Sequence, residues 1–380
     1  MMSDKVFAFD AKRIFRNLTG LGNYSRLVVE QLAAALPEVR MQLFTPTATA
    51  VERASRLLGM SNVETVLPDN IMFGKAFWRS FGITRQLSAI RPSLYHGLSN
   101  ELPLNIVNSG VPSVVTIHDL IYRRLPYCYK AVDRHLYDFK YRRACENATR
   151  IIAVSRCTRD DIVEFYNINP EKIDVVYQGC DESFRRHIPA DKIEDCRRRY
   201  NLPSRYIIQV GTVERRKNLE LTVKAIAALS PELHLVVVGR DHYGYLSYIK
   251  ELVNRLRIND RVTFLQDLPF ADLPPIVAGA EVAAYPSRYE GFGIPVLEAL
   301  SAGVPVVAAT GSCLEESGGT AALYVDPDDV GGMVHALRAL TDGSFDRSEI
   351  VARGKKHAAL FDNSRIADNI LNVYSKIIDL

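Results

Sequence analysis

At 380 residues the chain is long enough for two domains with separate cores. A composition of 47% hydrophobic and 24% charged residues is that of an ordinary globular protein and excludes a disordered or fibrous one. A formal charge of +3 is too small to point to nucleic acid as a partner.

The six cysteines stand singly with no C-x-x-C pair, which argues against a zinc site or a disulfide framework and fits a reducing cytosol. No apolar run approaches the roughly 18 residues that cross a bilayer, and the opening MMSDKVFAFD carries an acid and a strand pattern in place of a signal peptide. Basic residues cluster in RRLPYCYK, KYRR, FRRH and CRRRY, mostly as solvated helix faces that also suit anionic substrates or an anionic membrane surface.

The first half alternates short apolar runs with helical periods, the grammar of an α/β domain with a parallel sheet. KVFAFD reads as a strand, followed by a glycine loop, Thr19 to Tyr24, that opens a helix from Tyr24 to Leu36. MQLFTP, SLYHG, PSVVTIHDL, TRIIAVS and KIDVVYQGCD read as further strands. Met72 to Ile90, with Phe73, Phe77, Trp78, Phe81 and Leu87 at helical spacing, reads as a core helix, or as one offering aromatics to an acceptor or a membrane. A basic, aromatic helix runs from about Tyr129 to Ala148, and CTRDDIVEFYN is a helix capped by Ser155 or Thr158.

Charged residues from about Glu182 to Pro203 carry no strand, so the linker is placed there, dividing the chain into residues 1–184 and 185–362. The same grammar then restarts with SRYIIQV, ELHLVVVGR, RVTFLQ, AEVAAYPS and VPVV as strands and Leu219–Leu229 and Tyr245–Leu256 as helices. The stretch Tyr285 to Val307 is the most informative. A loop with Gly291 and Gly293 feeds a short helix carrying Pro295 near its start and Gly303 past its end. The N–H groups and dipole of such a helix suit a phosphate. Two carboxylates bracket it, Glu290 on the loop and Glu298 in the first turn. They would repel phosphate and are there to accept hydrogen bonds from hydroxyls, which a sugar nucleotide carries on both sides of its diphosphate.

That stretch, with Glu290 and Glu298 in an EGFG-P-LEA-AxGxPVV frame, resembles the donor signature of the retaining GT-B glycosyltransferases of family 4. The resemblance implies two Rossmann-like domains facing across a cleft and a C-terminal helix, residues 363–380, that crosses back to the first domain. It assigns Glu290 to the donor sugar and Glu298 to the ribose, with Gly291, Phe292, Gly293 and Ile294 lining the donor site. Gly211 and Thr212 lead to Arg216 and Lys217, the pair implied to stabilise the leaving diphosphate; Thr212 stands where one common pattern of the family has arginine. Gly20 and Gly22 match the family's N-terminal glycine loop, and His118 its donor-sugar histidine, while His96 receives no site role. Asp326-Pro-Asp328 is read as a helix cap and not as a metal-binding pair, and neither cofactor nor catalytic metal is expected. The implied reaction moves a hexose, mannose from GDP-mannose first, to a glycan or a polyprenyl-diphosphate-linked acceptor in cell-surface polysaccharide synthesis. The enzyme would be cytoplasmic, with peripheral contact at the inner membrane face. A sugar-nucleotide 2-epimerase of similar architecture and a catalytically silent sugar-nucleotide binder stay open as alternatives.

Overall fold

The computed structural model describes residues 5–69, 71, 74–242 and 244–379. Met72 and Phe73, and the first four residues, lie outside the described residues. The chain forms two compact units, residues 1–178 with 363–380, and residues 179–362.

In the first unit, β1 (Val6–Asp10), β2 (Arg40–Phe44), β3 (Val63–Val66), β4 (Leu94–Gly97), β5 (Ser113–Ile117), β6 (Arg150–Ala153) and β7 (Ile173–Val175) form a parallel sheet ordered β3-β2-β1-β4-β5-β6-β7. Sheets buried on both faces need continuous apolar strands, and β1 and β5 are buried at every residue. β3 is not among the expected strands. Its VETV exposes Glu64 and Thr65, as a sheet edge permits, and so carries no clear strand pattern.

The second unit repeats the plan with β8 (Tyr206–Val210), β9 (His234–Val238), β10 (Val262–Leu265), β11 (Val282–Tyr285), β12 (Val306–Ala309) and β13 (Ala322–Val325), ordered β10-β9-β8-β11-β12-β13. β8 pairs on one side with β9 and on the other with β11, in register Val282↔Ile207. The strand order therefore reverses between β8 and β11, and in open α/β sheets ligands bind at the carboxyl ends of the strands flanking such a reversal.

The charged stretch expected as linker is instead built into the second unit. Ala190–Arg199 is a helix whose Cys196 joins that unit's core, and the division falls earlier, after Gln178. The last helix, Ser364–Tyr374, belongs to the first unit. Its apolar face of Ile366, Ile370, Val373 and Tyr374 is buried in the core formed by β1, β2 and the helix Gly20–Ala35. Each such side chain contributes about 1.5–3 kcal/mol on burial. Tyr374 packs edge-on against Phe7 at 5.4 Å and bonds His96 Nδ1 at 2.7 Å, so His96 ties this helix to the sheet.

The helical segment after residue 74 divides its aromatics. Trp78 is buried and donates from Nε1 to Gln86 Oε1 at 2.9 Å, whereas Phe77 and Phe81 meet as a tilted ring pair at 5.2 Å and face outward.

Candidate active site

In the second unit the loops leaving β8 and β11 bring the expected donor residues together. After β8 the chain passes Gly211, whose backbone lies against Lys217: a Cβ there would sit 3.6 Å from Cε. Gly211 in turn approaches Gly239 at the end of β9 so closely that a Cβ on Gly239 would meet the Gly211 carbonyl oxygen at 1.8 Å. Only glycine fits that crossing, and both glycines hold positive φ.

The turn Arg215–Lys217 then directs Arg216 and Lys217 inward and leaves Arg215 and Thr212 exposed. Gln209, held by Thr222 at 2.6 Å, donates to the Lys217 carbonyl at 2.9 Å and fixes the turn. From the β11 loop comes Glu290, buried. Its Oε1 receives Arg216 Nη1 at 2.7 Å and Lys217 Nζ at 2.6 Å. Arg216 also donates to the Tyr289 carbonyl at 2.9 Å and to Glu214 at 2.6 Å. Lys217 donates to the Tyr285 hydroxyl at 2.5 Å, and Cys313 Sγ to the Glu290 carbonyl at 3.0 Å.

Burial alone would push the Glu290 carboxyl up, but Arg216 and Lys217 outweigh it and hold its pKa at about 2. The carboxylate is therefore ionised at neutral pH. Two cations converging on one oxygen leave further lone pairs on the group for a hydroxyl.

The helix Ile294–Ser301 starts from Gly293 in the left-handed region at φ 96°, and no side chain caps it. A Cβ at Gly293 would press Leu314 at 2.7 Å and Ser317 at 2.8 Å, so the tight entry needs glycine twice over. Pro295 removes one N–H, and the Val296 N–H returns to the Gly293 carbonyl at 3.0 Å. An anion here would rest chiefly on the N–H groups at and just before Ile294. Glu298 lies in the second turn, not the first as expected, half-buried beside Pro295 and Ala299. The Phe292 ring is turned into the core against Phe361 at 5.6 Å, which leaves only its backbone for a ligand.

Asp326 and Asp328 do not cap the following helix. Asp329 does, accepting from Gly332 N at 2.9 Å, while Asp328 pairs with Arg288 at 2.5 Å. Among the described residues no group of three or more His, Cys, Asp or Glu side chains is arranged to hold a metal ion.

In the first unit Gly20 and Gly22 lie within the helix Gly20–Ala35 and not in a loop before it. Asn17 accounts for this: its Oδ1 accepts from Thr19 N at 2.8 Å and Gly22 N at 3.2 Å and so starts the helix four residues early. Gly22 is required because a Cβ would meet the Asn17 carbonyl oxygen at 2.0 Å; Gly20 faces open space. His118 follows β5, its own N–H bonded to Asn100 Oδ1 at 2.6 Å. Its ring packs edge-on to Tyr24 at 4.7 Å. Nε2 reaches the Leu98 carbonyl at 2.9 Å, so it carries the proton, and Nδ1 accepts from Gln178 Nε2 at 3.1 Å. Burial lowers the imidazole pKa to about 4, so His118 is neutral at pH 7 with both nitrogens engaged.

The comparisons with known proteins agree along most of the chain. Residues 19–184 match the family described as Glycosyltransferase Family 4, and residues 193–357 match Glycosyl transferases group 1. The O-antigen chain mannosyltransferase B of Escherichia coli is 29% identical, with 94% of this chain and 96% of the relative covered. The chain belongs to the family 4-like GT-B glycosyltransferases.

O-antigen chain mannosyltransferase RfbU of Salmonella typhimurium is a further relative of this glycosyltransferase, 27% identical over 73% of this chain and 78% of its own length. Among solved structures, the sucrose-phosphate synthase of Thermosynechococcus elongatus superposes with a TM-score of 0.79 at 21% identity, covering 98% of this chain and 99% of the other. Anabaena Alr3699/HepE, solved with UDP and glucose, superposes at 0.76 and 18% identity, with the same coverage. At those identities the likeness speaks for the GT-B fold of the glycosyltransferase. Within it, sequence reasoning passed over Glu214, Tyr285, Cys313 and Gly239, and only Gly239, closing the run VVVG, carried a visible signal.

Proposed function

We propose that this glycosyltransferase moves mannose from GDP-mannose, with retention, to a hydroxyl of a glycan or polyprenyl-diphosphate-linked glycan in cell-surface polysaccharide synthesis. The observation that carries the reading is the Arg216–Glu290–Lys217 cluster at the point where the strand order of the second sheet reverses. In this reading the diphosphate rests on the backbone from Gly291 through Ile294, Glu298 takes the ribose hydroxyls, and Glu290 a hydroxyl of the sugar. Arg216 and Lys217 are already balanced by Glu290 and Glu214, so the ground-state diphosphate gains little from them. Their grip strengthens as negative charge grows on the departing phosphate, which is the condition for raising kcat. Gly211 and Thr212 let backbone approach the donor, and neutral His118 in the first unit serves the acceptor. No catalytic metal enters the scheme.

The names of the two O-antigen mannosyltransferases that the chain resembles support mannose as the sugar, and GDP as its carrier is the part of the proposal that rests on the family resemblance alone. Thermal-shift screening against GDP-, UDP-, ADP- and dTDP-hexoses, followed by GDP release with a polyprenyl-diphosphate-linked acceptor, tests it. GDP-mannose is expected to raise the melting temperature most and to give an acceptor-dependent product. Conversion of the donor sugar with no acceptor present would instead favour the epimerase.

We further propose that the first unit rests on an anionic membrane surface at its cytoplasmic face. Residues 75–147 hold eleven Lys and Arg against five Asp and Glu, a larger excess than that of the whole chain. The helix Ala131–Asn147 exposes Val132, Leu136 and Phe139 along one stripe. Among the described residues no helix is long and apolar enough to cross a membrane. Flotation with phosphatidylglycerol vesicles should carry the protein up, and high salt or the double variant Leu136→Ser, Phe139→Ser should release it. Equal recovery with phosphatidylcholine vesicles would refute the electrostatic part.

A further inference from the structure

Lysine presents a compact charge on a flexible four-carbon stem, so a lysine that must meet one phosphate oxygen needs something to hold it. Glu290 supplies one hold at 2.6 Å. The second is Tyr285, the last residue of β11, buried at 4% exposure. Its hydroxyl accepts from Lys217 Nζ at 2.5 Å, and the ammonium stands 4.9 Å from its ring centroid. The phenol keeps its proton, because burial and the nearby Glu290 charge both oppose ionisation.

Other buried tyrosines spend their hydroxyls on holding the fold together. Tyr206 donates to the Ile276 carbonyl at 2.6 Å, and Tyr374 bonds His96. Tyr285 accepts from a cation instead, on the strand next to the one from which that cation's loop departs.

We propose that Tyr285 is a positioning residue for transfer: its hydroxyl and Glu290 take two of the three N–H bonds of Lys217 and thereby aim the third at the departing diphosphate. This rests on the reading of Lys217 as the group that meets that diphosphate. The charged groups around Lys217 are Glu290 and Glu214, which favour its protonated form, and Arg216, which opposes it; burial opposes it most. Cys313, bonded to the Glu290 carbonyl at 3.0 Å, is a further titratable group near Tyr285. The tyrosine oxygen is a neutral acceptor that supports the ammonium form. Without it, Lys217 should lose its proton at lower pH.

Tyr285→Phe removes that oxygen and retains the ring that packs in the core and under the ammonium. A hydrogen bond to a charged group corresponds to roughly a 10-fold or larger effect. The variant is expected to lose about 10-fold in kcat with the donor KM changed less than about 2-fold. The alkaline limb of its pH–rate profile should move to lower pH. Added to Lys217→Ala, the same change should cost nothing further, because Tyr285 acts only through the lysine. An unshifted alkaline limb, or full additivity with Lys217→Ala, would overturn the assignment and leave the proposed site standing. Wild-type turnover in Lys217→Ala would overturn the assignment together with the site reading beneath it.

Discussion

Glu290→Gln is expected to lower kcat about 10²–10³-fold, the usual consequence of removing one preorganised electrostatic group from a reacting centre. Glutamine fills the same volume and still hydrogen bonds, so what is lost is the charge on which Arg216 and Lys217 converge at 2.7 and 2.6 Å. Buried cations left without their counter-charge also destabilise the fold. Breaking such a pair costs about 3–5 kcal/mol, reduced here because Glu214 still faces Arg216 at 2.6 Å. A melting temperature a few degrees lower should therefore accompany the kinetic defect, with the circular dichroism of the folded state retained. Lys217→Ala should cost a similar factor in kcat. Since the two side chains touch, the double variant should be far less impaired than the product of the single losses. Wild-type kcat in either single variant would show that the reaction occurs elsewhere.

Acid should destabilise the protein well above the pH at which carboxylates normally protonate. His96 and His118 are buried and neutral, and desolvation lowers their pKa values to about 3 and 4, from 6.5 in an unfolded chain. Above pH 6.5 neither state carries the extra protons and the two histidines add no pH dependence. Below it the unfolded chain binds protons that the folded one refuses, so each histidine removes on the order of 1.4 kcal/mol per pH unit until its folded pKa is reached. Glu290 adds a further loss from about pH 4.5, its ordinary value, down through about 2. Melting temperature measured from pH 7.5 to 4.5 should fall steadily, and His96→Gln should flatten part of the slope. A flat profile would contradict the buried, neutral state of these rings. His96 bonds Tyr374 at 2.7 Å, so loss of protection in the last helix should come early in the acid transition.

The two α/β units were legible because buried parallel strands leave continuous apolar runs such as LVVV and VPVV, and because glycine and proline mark where each helix starts and stops. Two of the four edge strands escaped: the VETV of β3 and the ALYV of β13 are short and only partly covered, so neither needs a full apolar pattern, whereas β7 and β10, also at edges, were readable from their apolar runs. Glu290, Arg216 and Lys217 were each visible through motif. That they form one ion-paired cluster was not, because the contact joins positions 73 or more residues apart through the register of two adjacent strands. Tyr285 looked like any strand residue, since a hydroxyl's partner leaves no trace in local spacing. Helix starts were displaced by side-chain caps, Asn17 bringing one forward to Gly20 and Asp329 holding another back past Asp326 and Asp328. Where several neighbouring residues can cap, only the folded backbone decides among them.

Because the first unit is assembled from residues 1–178 and 363–380, its hydrophobic interior lacks one wall until the helix Ser364–Tyr374 has left the ribosome. The intervening segment is contiguous and can fold as soon as it is synthesised, so the first unit is completed after the second. A chain released before Ile366 would carry a finished second unit attached to an open, aggregation-prone sheet.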